Sequence, residues 1–539
     1  MKNLLSALHR LPSPLLAALA CLSILPVLTN AYDGVRLVQV VVLSLSAWLL
    51  LWWRHPHKLV RRLQISGAAA LSLAFLLDGA ARGFILRSYG AAPDSTMVTT
   101  ALANTTSFEA KEFVLAYGAQ MGQWGLALLF SLFWVGVFLA AWWQQPNSRS
   151  SMRTWQRVGF VLLLLTLGVA LTLRPWRVLH PLVFWPKWGA SIAELRTQWQ
   201  TTELQRESLR QRAWEQAPAL TSGSPDTLVL VMSDSVNRNH LSVYGYPRPT
   251  TPNFEERLKT EPDQLKIFRH AWSVDASTVP ALQNFFYFGE RRQQDRDHLL
   301  SLAAAAGYKT WWISNHDDLA VFQEHSKLAD HSIMLNNVPG RSTTSFDEKI
   351  LPPLEAALRE SHERKLIVVH LLGAHPHYPY RYPSDHARFR GVKDLVYQAL
   401  KDKGRSFWTL ESRNDYDSAI HFHDTVVDGT LELTRRFGKN ASWVYLSDHG
   451  QEVGSVSDHS GHSAASPDGY RIPLMVWGGA AKYLGKEMEV APVRADWLGH
   501  SLIRMLGISW KGYRANQDFT NPDYRWHPPR FPFSVDFYS

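Results

Sequence analysis

Thr227-Leu-Val-Leu-Val-Met232, followed at once by Ser233-Asp234, is the stretch that decides the fold. An apolar run of strand length with no polar alternation fits a strand buried on both faces, the habit of a largely parallel sheet covered by helices. An acid directly after such a strand stands at the edge where open α/β sheets bind ligands. The arrangement recurs twice. Ala441-Ser-Trp-Val-Tyr-Leu446 runs into Ser447-Asp448-His449-Gly450, and Lys365-Leu-Ile-Val-Val-His370 runs into Leu371-Leu-Gly-Ala-His375. From Thr221 onward the chain therefore reads as an α/β domain with a mostly parallel sheet and ligating side chains at its carboxyl edge.

The residue types at those strand ends point to a metal. Asp234, Asp448 and His449 are the oxygen and nitrogen donors that Zn²⁺ takes. His375 and His462 could bind phosphate oxygens or a second metal, and His459 competes with His462 for that place. With 22 histidines in the chain, His377, His421 and His423 read as background. A nucleophile is offered by Ser277-Thr278-Val279-Pro280, two hydroxyls ahead of a helix expected to start near Pro280. The positive end of a helix favours an anion such as a phosphoryl group. An N-capping Ser or Thr is the alternative reading of the same residues.

Upstream of this domain the composition changes. Five apolar runs approach bilayer length: Pro14 to Leu28, Leu37 to Trp53, Ile65 to Ile85, Met121 to Trp143 and Arg157 to Leu173. The first reads as a retained anchor, because another apolar run begins within a few residues and no soluble stretch follows a cleavage site. Lys2 and Arg10 precede the first run, Arg54, Lys58, Arg61 and Arg62 follow the second, and Arg149, Arg153 and Arg157 follow the fourth. Basic residues collect on the cytoplasmic side, so the N-terminus is expected inside and everything after Arg174 outside, which in a double-membrane bacterium is the periplasm. The organisation expected is a five-helix membrane domain over 1–176, a linking helical segment over 177–222 and a catalytic domain over 223–539.

The chain has one cysteine, Cys21, so no intramolecular disulfide is possible. A domain of this size needs none. The net charge of +9 suits anionic headgroups, and no nucleic-acid motif accompanies it.

The order and wording of these clusters resemble the phosphoethanolamine transferases of the alkaline-phosphatase and sulfatase superfamily. The resemblance rests on Asp234-Ser235-x-x-Arg238 with Ser242-x-Tyr244-Gly245-Tyr246-Pro247-Arg248-x-Thr250-Thr251-Pro252. It extends through Tyr308-Lys309-Thr310 with Trp312-x-Ser314-Asn315, then His370-Leu-x-Gly373-x-His375-x-x-Tyr378-x-x-Arg381-Tyr382-Pro383, Asn414-x-Tyr416-Asp417-Ser418 and Ser447-Asp448-His449-Gly450. It covers almost the whole chain, including the membrane half.

What the resemblance implies is an α/β/α sandwich that holds one or two zinc ions through Asp234, Asp448, His449 and Thr278. Phosphatidylethanolamine is the implied donor and Thr278 the nucleophile, with Ser277 the rival. His375, His462 or His459, and Arg238 are the implied phosphoryl or substrate ligands. The acceptor is a cell-envelope glycan or lipopolysaccharide, core or lipid A. The wording from His370 to Pro383 and the lack of cysteines outside the membrane look closer to the lipopolysaccharide-core branch than to the lipid A branch.

Two departures stand out: the family usually has Glu where this chain has Asp234, and the nucleophile segment differs. A phosphoglycerol transferase acting on membrane-derived glucan would use the same ligands. A sulfatase would need Cys or Ser followed by Pro-Ser-Arg, whereas Pro280 here precedes Ala281-Leu282.

Overall fold

The computed structural model describes residues 8, 11, 13–52, 55–89, 91–105, 107–145, 154–200, 203–221, 223–289, 295–316, 319–335 and 345–538. Lys2, Arg10, Trp53, Arg54, Arg149 and Arg153, used above for topology, lie outside them. The chain divides into two compact units, one comprising 1–87, 92–94 and 114–193, the other 88–91, 95–113 and 194–539.

In the first unit the apolar runs are helices: Ser13–Leu28, Gly34–Leu49, Lys58–Tyr89, Ser107–Gln144 and Thr154–Thr172. Among the described residues three helical stretches are long and apolar enough to cross a membrane, Lys58–Tyr89, Gly125–Gln144 and Thr154–Thr172. The stretches Ala18–Leu28 and Gly34–Leu49 are shorter, so length and composition do not establish the expected count of five spans. Asp78, fully buried on Lys58–Tyr89, is paired where it stands. It accepts from Tyr32 Oη at 2.6 Å, Arg82 Nε at 2.8 Å and Trp185 Nε1 at 2.9 Å. A charge inside an apolar bundle persists only when paired in this way.

The second unit is built on a seven-stranded sheet. Its strands are β1 (Thr227–Ser233), β2 (Leu265–Ile267), β3 (Lys309–Ser314), β4 (His331–Met334), β5 (Lys365–His370), β6 (Ala441–Ser447) and β7 (Leu474–Gly478). Across the sheet the order is β2-β7-β6-β1-β5-β3-β4. The five strands from β6 to β4 are parallel, while β7 runs antiparallel to both β6 and β2.

The apolar run of β1 has the reason expected of it: alternate side chains feed two different cores. Leu228, Leu230 and Met232 pack on one face with Leu282, Phe285 and Phe286 of the helix Thr278–Phe286. Val229 and Val231 pack on the other with Tyr416, Ile420, Val427 and Leu431 of the long helix Phe407–Phe437. Burying both faces leaves no position for a polar residue within the strand.

Register then aligns the strand ends. Met232 pairs with both His370 and Leu446, Ser233 with Ser447, and Ser314 with His370. Asp234, His316, His375, Asp448 and His449 therefore all follow strands that finish at one edge. The region between the third and fourth apolar runs supplies a helix, Thr96–Asn104, which belongs to this unit and lies against Thr278–Phe286. Asn104 Oδ1 accepts from the backbone N–H of Ala320 at 3.1 Å.

Several histidines of this unit are buried in neutral form, which sets its response to acid. Burial lowers His325 from 6.5 to about 3, and His423 and His500 to about 4. A base with a depressed folded pKa takes up its proton more readily when unfolded. Its stability contribution is therefore complete above about pH 6.5 and is lost as the pH falls from there towards the folded values. At pH 5 each of these histidines costs on the order of 2 kcal/mol. The urea midpoint of the protein is expected to fall steeply between pH 7 and pH 5. In His500→Gln that slope is expected to be shallower by about one proton; an unchanged slope would contradict the assignment.

Candidate metal and phosphoryl-transfer centre

Asp234 is held by the turn that ends β1. Ser235 adopts a left-handed backbone, φ +63°, and its hydroxyl donates to Asp234 Oδ1. Asp234 Oδ2 accepts from Thr278 Oγ1 at 2.8 Å. Asp448 Oδ1 accepts from the backbone N–H groups of Ser235 at 3.3 Å and His449 at 2.6 Å. Its other oxygen, Oδ2, is buried with no hydrogen-bond partner among the described residues. His449 Nδ1 donates to Gly450 O at 2.8 Å, which leaves the Nε2 lone pair free to face the acids.

From Nε2 of His449 the distances are 3.5 Å to Thr278 Oγ1, 3.7 Å to Asp234 Oδ1 and 3.6 Å to Asp448 Oδ2. Four donors about 2.0 Å from a tetrahedral ion lie about 3.3 Å from one another, so the three separations from His449 are close to what a shared Zn²⁺ requires. Among the described residues Asp234, Asp448 and His449 are the one trio of acids or imidazoles close enough for a shared ion.

Electrostatics agrees with the chemistry of the donor set. Burial alone would push the Asp234 carboxyl up, but the neighbouring imidazoles, His375 first and then His449, outweigh it and hold the group below the usual carboxylate range. Burial, then the charge on Asp234, pushes Asp448 up to about 7. Two buried carboxylates side by side, one oxygen unpartnered, are an arrangement that a divalent cation resolves.

The helix bearing Thr278 begins at Thr278 itself, two residues earlier than Pro280 suggested, with Ser277 as N-cap. Proline has no N–H to lose in a first turn, so it fits inside the helix start as well as before it. Ser277 Oγ is buried, makes no capping hydrogen bond and has no partner among the described residues. Of the two hydroxyls, Thr278 is the one drawn to the acids. Ser273 steadies the approach to this helix by donating to Asp448 O at 2.6 Å.

His462 joins the cluster, its ring 4.8 Å from that of His449 and 5.9 Å from that of His375. Its Nδ1 is buried without a partner among the described residues, and burial first, then His449, keeps the ring neutral. His459 interacts with the backbone of His462. Arg238 is not brought to the cluster: its guanidinium donates to Ala271 O at 2.6 Å and lies over Trp272 at 4.7 Å.

Two participants were invisible to sequence reasoning. His316, two residues past β3, reaches within 4.0 Å of Asp234 Oδ2. Asp347 accepts from Leu372 N at 2.9 Å and Gly373 N at 2.8 Å, pinning the turn that leads to His375. Gly373 in that turn has φ +56°, and a Cβ there would lie 2.6 Å from Asp234 O. Gly373→Ala is therefore expected to cost at least about 2 kcal/mol of stability, from left-handed strain and overpacking together. It is also expected to weaken zinc binding, both checked by urea unfolding with and without Zn²⁺.

Fold and site together place a candidate metal-binding trio, with a hydroxyl beside it, at the carboxyl edge of a mostly parallel sheet. Residues 226–508, more than half of the chain, match the Sulfatase family, and the chain belongs to that family. A curated relative, phosphoethanolamine transferase EptC of Escherichia coli (strain K12), is 31% identical over 323 residues, covering 57% of this chain and 55% of the relative. The match thus spans about half the length of that relative. The C-terminal periplasmic domain of E. coli EptC in complex with Zn superposes with a TM-score of 0.54 at 30% identity, covering 59% of this chain and 95% of that domain. The integral membrane protein EptA of Neisseria meningitidis, a lipooligosaccharide phosphoethanolamine transferase, matches in fold over 96% of this chain and 98% of its own, with a TM-score of 0.56 at 17% identity.

Proposed function

We propose that this protein transfers phosphoethanolamine from phosphatidylethanolamine to a cell-envelope glycan or lipopolysaccharide, core or lipid A. In this reading it sits in the inner membrane of a bacterium with its catalytic domain in the periplasm. The observation that carries the reading is the placement of Thr278 Oγ1, at a helix N-terminus and 2.8 Å from Asp234, beside Asp448 and His449. The phosphoethanolamine transferases among its relatives, and the zinc complex of one of them, support it.

Zn²⁺ bound by Asp234, Asp448, His449 and Thr278 would lower the pKa of the threonine hydroxyl and neutralise charge on the phosphoryl group. Thr278 Oγ1 attacks phosphorus and gives up its hydroxyl proton, the bond to the glycerol oxygen breaks, and that oxygen takes up one proton so that diacylglycerol leaves as the alcohol. The phosphoethanolamine group is then carried on Thr278, where the backbone N–H groups of the helix start face it. His462 and His375 hold the phosphoryl oxygens as hydrogen-bond donors. An acceptor hydroxyl attacks the same phosphorus, and Thr278 Oγ1 departs with a proton.

The donor is tested by diacylglycerol release from detergent micelles carrying phosphatidylethanolamine or phosphatidylglycerol. Release from phosphatidylethanolamine at least about tenfold faster, a difference of about 1.4 kcal/mol in the barrier, is expected. Preference for phosphatidylglycerol would move the assignment to a phosphoglycerol transferase.

A further inference from the structure

The helix Phe407–Phe437 runs antiparallel to the strands it covers and overshoots them at the carboxyl edge. Thr430 Oγ1 accepts from Trp443 Nε1 at 3.0 Å, His423 Nε2 meets Tyr445 Oη at 3.1 Å, and Tyr416 Oη donates to Ser235 O at 2.9 Å. Trp443 and Tyr445 follow one another along β6 and Ser235 stands just past the end of β1, so the helix, read backwards, climbs towards the metal centre. Its first residue, Phe407, lies about 13 Å beyond Tyr416 along the helix axis.

The overshoot is one leg of a helical hairpin whose other leg is Leu395–Asp402. Arg248 clamps the foot, donating to Asp394 Oδ2 and Oδ1 at 2.9 and 2.8 Å, to Asp417 Oδ2 at 2.6 Å and to Asn414 Oδ1 at 2.8 Å. Tyr397, Leu400 and Leu410 pack between the legs. At the tip Arg405 donates to Gly454 O and Val456 O, both at 2.8 Å, and Ser406 N and Oγ donate to Asp458 Oδ1 at 2.9 and 3.0 Å. The tip is thus tied to the loop that leads into His459 and His462.

This well-anchored tip spends its apolar surface on solvent. Phe407 is 59% exposed, Trp408 47% and Val456 52%, with the two aromatic rings edge to face at 5.5 Å. Lys401 and Lys403 are exposed beside them, and with Arg405 they outnumber the acids Asp402 and Asp458. Trp and Phe next to Lys and Arg is the composition of side chains that settle at a membrane interface, ring towards the acyl chains and cation towards anionic headgroups.

We infer that the hairpin tip, with Phe407 and Trp408 as its apolar point, rests in the headgroup layer of a lipid bilayer. The inference rests on the reading of the protein as a transferase whose donor is a bilayer lipid: the tip projects past the same edge at which Thr278 must meet that lipid's headgroup.

The test uses the full-length protein in nanodiscs of phosphatidylethanolamine and phosphatidylglycerol, with Cys21, its one cysteine, changed to Ser. A fluorophore is attached at Asp402→Cys, on the tip, or at Lys439→Cys, past the far end of the same helix. With bromine on the acyl chains close to the glycerol, the tip label is expected to lose at least about half of its emission, as a group at the headgroup and acyl boundary does, and the Lys439 label almost none. Adding Phe407→Ser and Trp408→Ser, at equal melting temperature, is expected to bring the tip label down to the Lys439 level, since removing two buried aromatics shifts the contact equilibrium at least about tenfold. No quenching at the tip would overturn the proposal and leave the aromatic pair to a protein partner. Equal quenching at both sites, or quenching that survives loss of both aromatics, would overturn it as well. Quenching needs no turnover, so it is read apart from the donor assay, and failure of one is distinguishable from failure of the other.

Discussion

Thr278→Ala is expected to abolish donor turnover, lowering diacylglycerol release by at least about 10³-fold, the scale seen when a covalent nucleophile is removed. The expectation follows from the distances: Thr278 Oγ1 is 2.8 Å from Asp234 Oδ2 and 3.5 Å from His449 Nε2, whereas Ser277 Oγ makes no hydrogen bond among the described residues. Ser277→Ala removes a buried hydroxyl that has no partner and should leave turnover within about fivefold, since deleting an unsatisfied group is close to neutral. Thr278→Ser keeps the oxygen and should retain measurable activity. Reversal of this ranking, with Ser277→Ala the dead variant, would move the nucleophile by one residue.

Asp448→Asn is the second large effect expected. The amide keeps the shape and can still accept the backbone N–H groups of Ser235 and His449 through its oxygen, so the fold should survive. What it loses is the charge on the oxygen that has no hydrogen-bond partner among the described residues. The zinc content of the purified protein should fall from about one equivalent towards zero, and affinity by more than the roughly 100-fold ceiling typical of outer-shell changes. Activity of the wild type should vanish on chelation and return on adding Zn²⁺. A variant that keeps full zinc content would show that Asp448 is not a ligand.

Much of the α/β domain was legible before any coordinates because strand burial leaves a local mark. β1, β5 and β6 are apolar runs because their two faces feed two cores; Asp234 and Asp448 follow β1 and β6 directly, and His375 follows β5 after a short turn. The site was legible where a ligand sits within a few residues of such a run, as Asp234, Asp448 and His449 do. His316 fails that condition in a different way. It follows a strand with two tryptophans and an Asn, and its distance to Asp234 is set by the pairing of Ser314 with His370, which no local pattern reveals.

His459 and His462 could not be separated by sequence because both lie in the same Ser- and Gly-rich loop. Which imidazole turns towards His449 depends on the short pairing of Ser460–Gly461 with Glu452–Val453. Arg238 shows the opposite limit. It sits in a recognisable run after the first acid, yet its place against the Trp272 ring is decided by packing of the neighbouring strand His270–Trp272. In the first unit apolar composition suggested five spans, and helix length separates three stretches long enough to cross a membrane from two shorter ones.

The most direct test of the central claim is intact-mass measurement of the zinc-loaded full-length protein after incubation with phosphatidylethanolamine, followed by peptide mapping of any adduct. A single phosphoethanolamine adduct on Thr278, absent from Thr278→Ala and present in Ser277→Ala, is the result expected. An adduct on another residue, or one formed from phosphatidylglycerol and not from phosphatidylethanolamine, would contradict it.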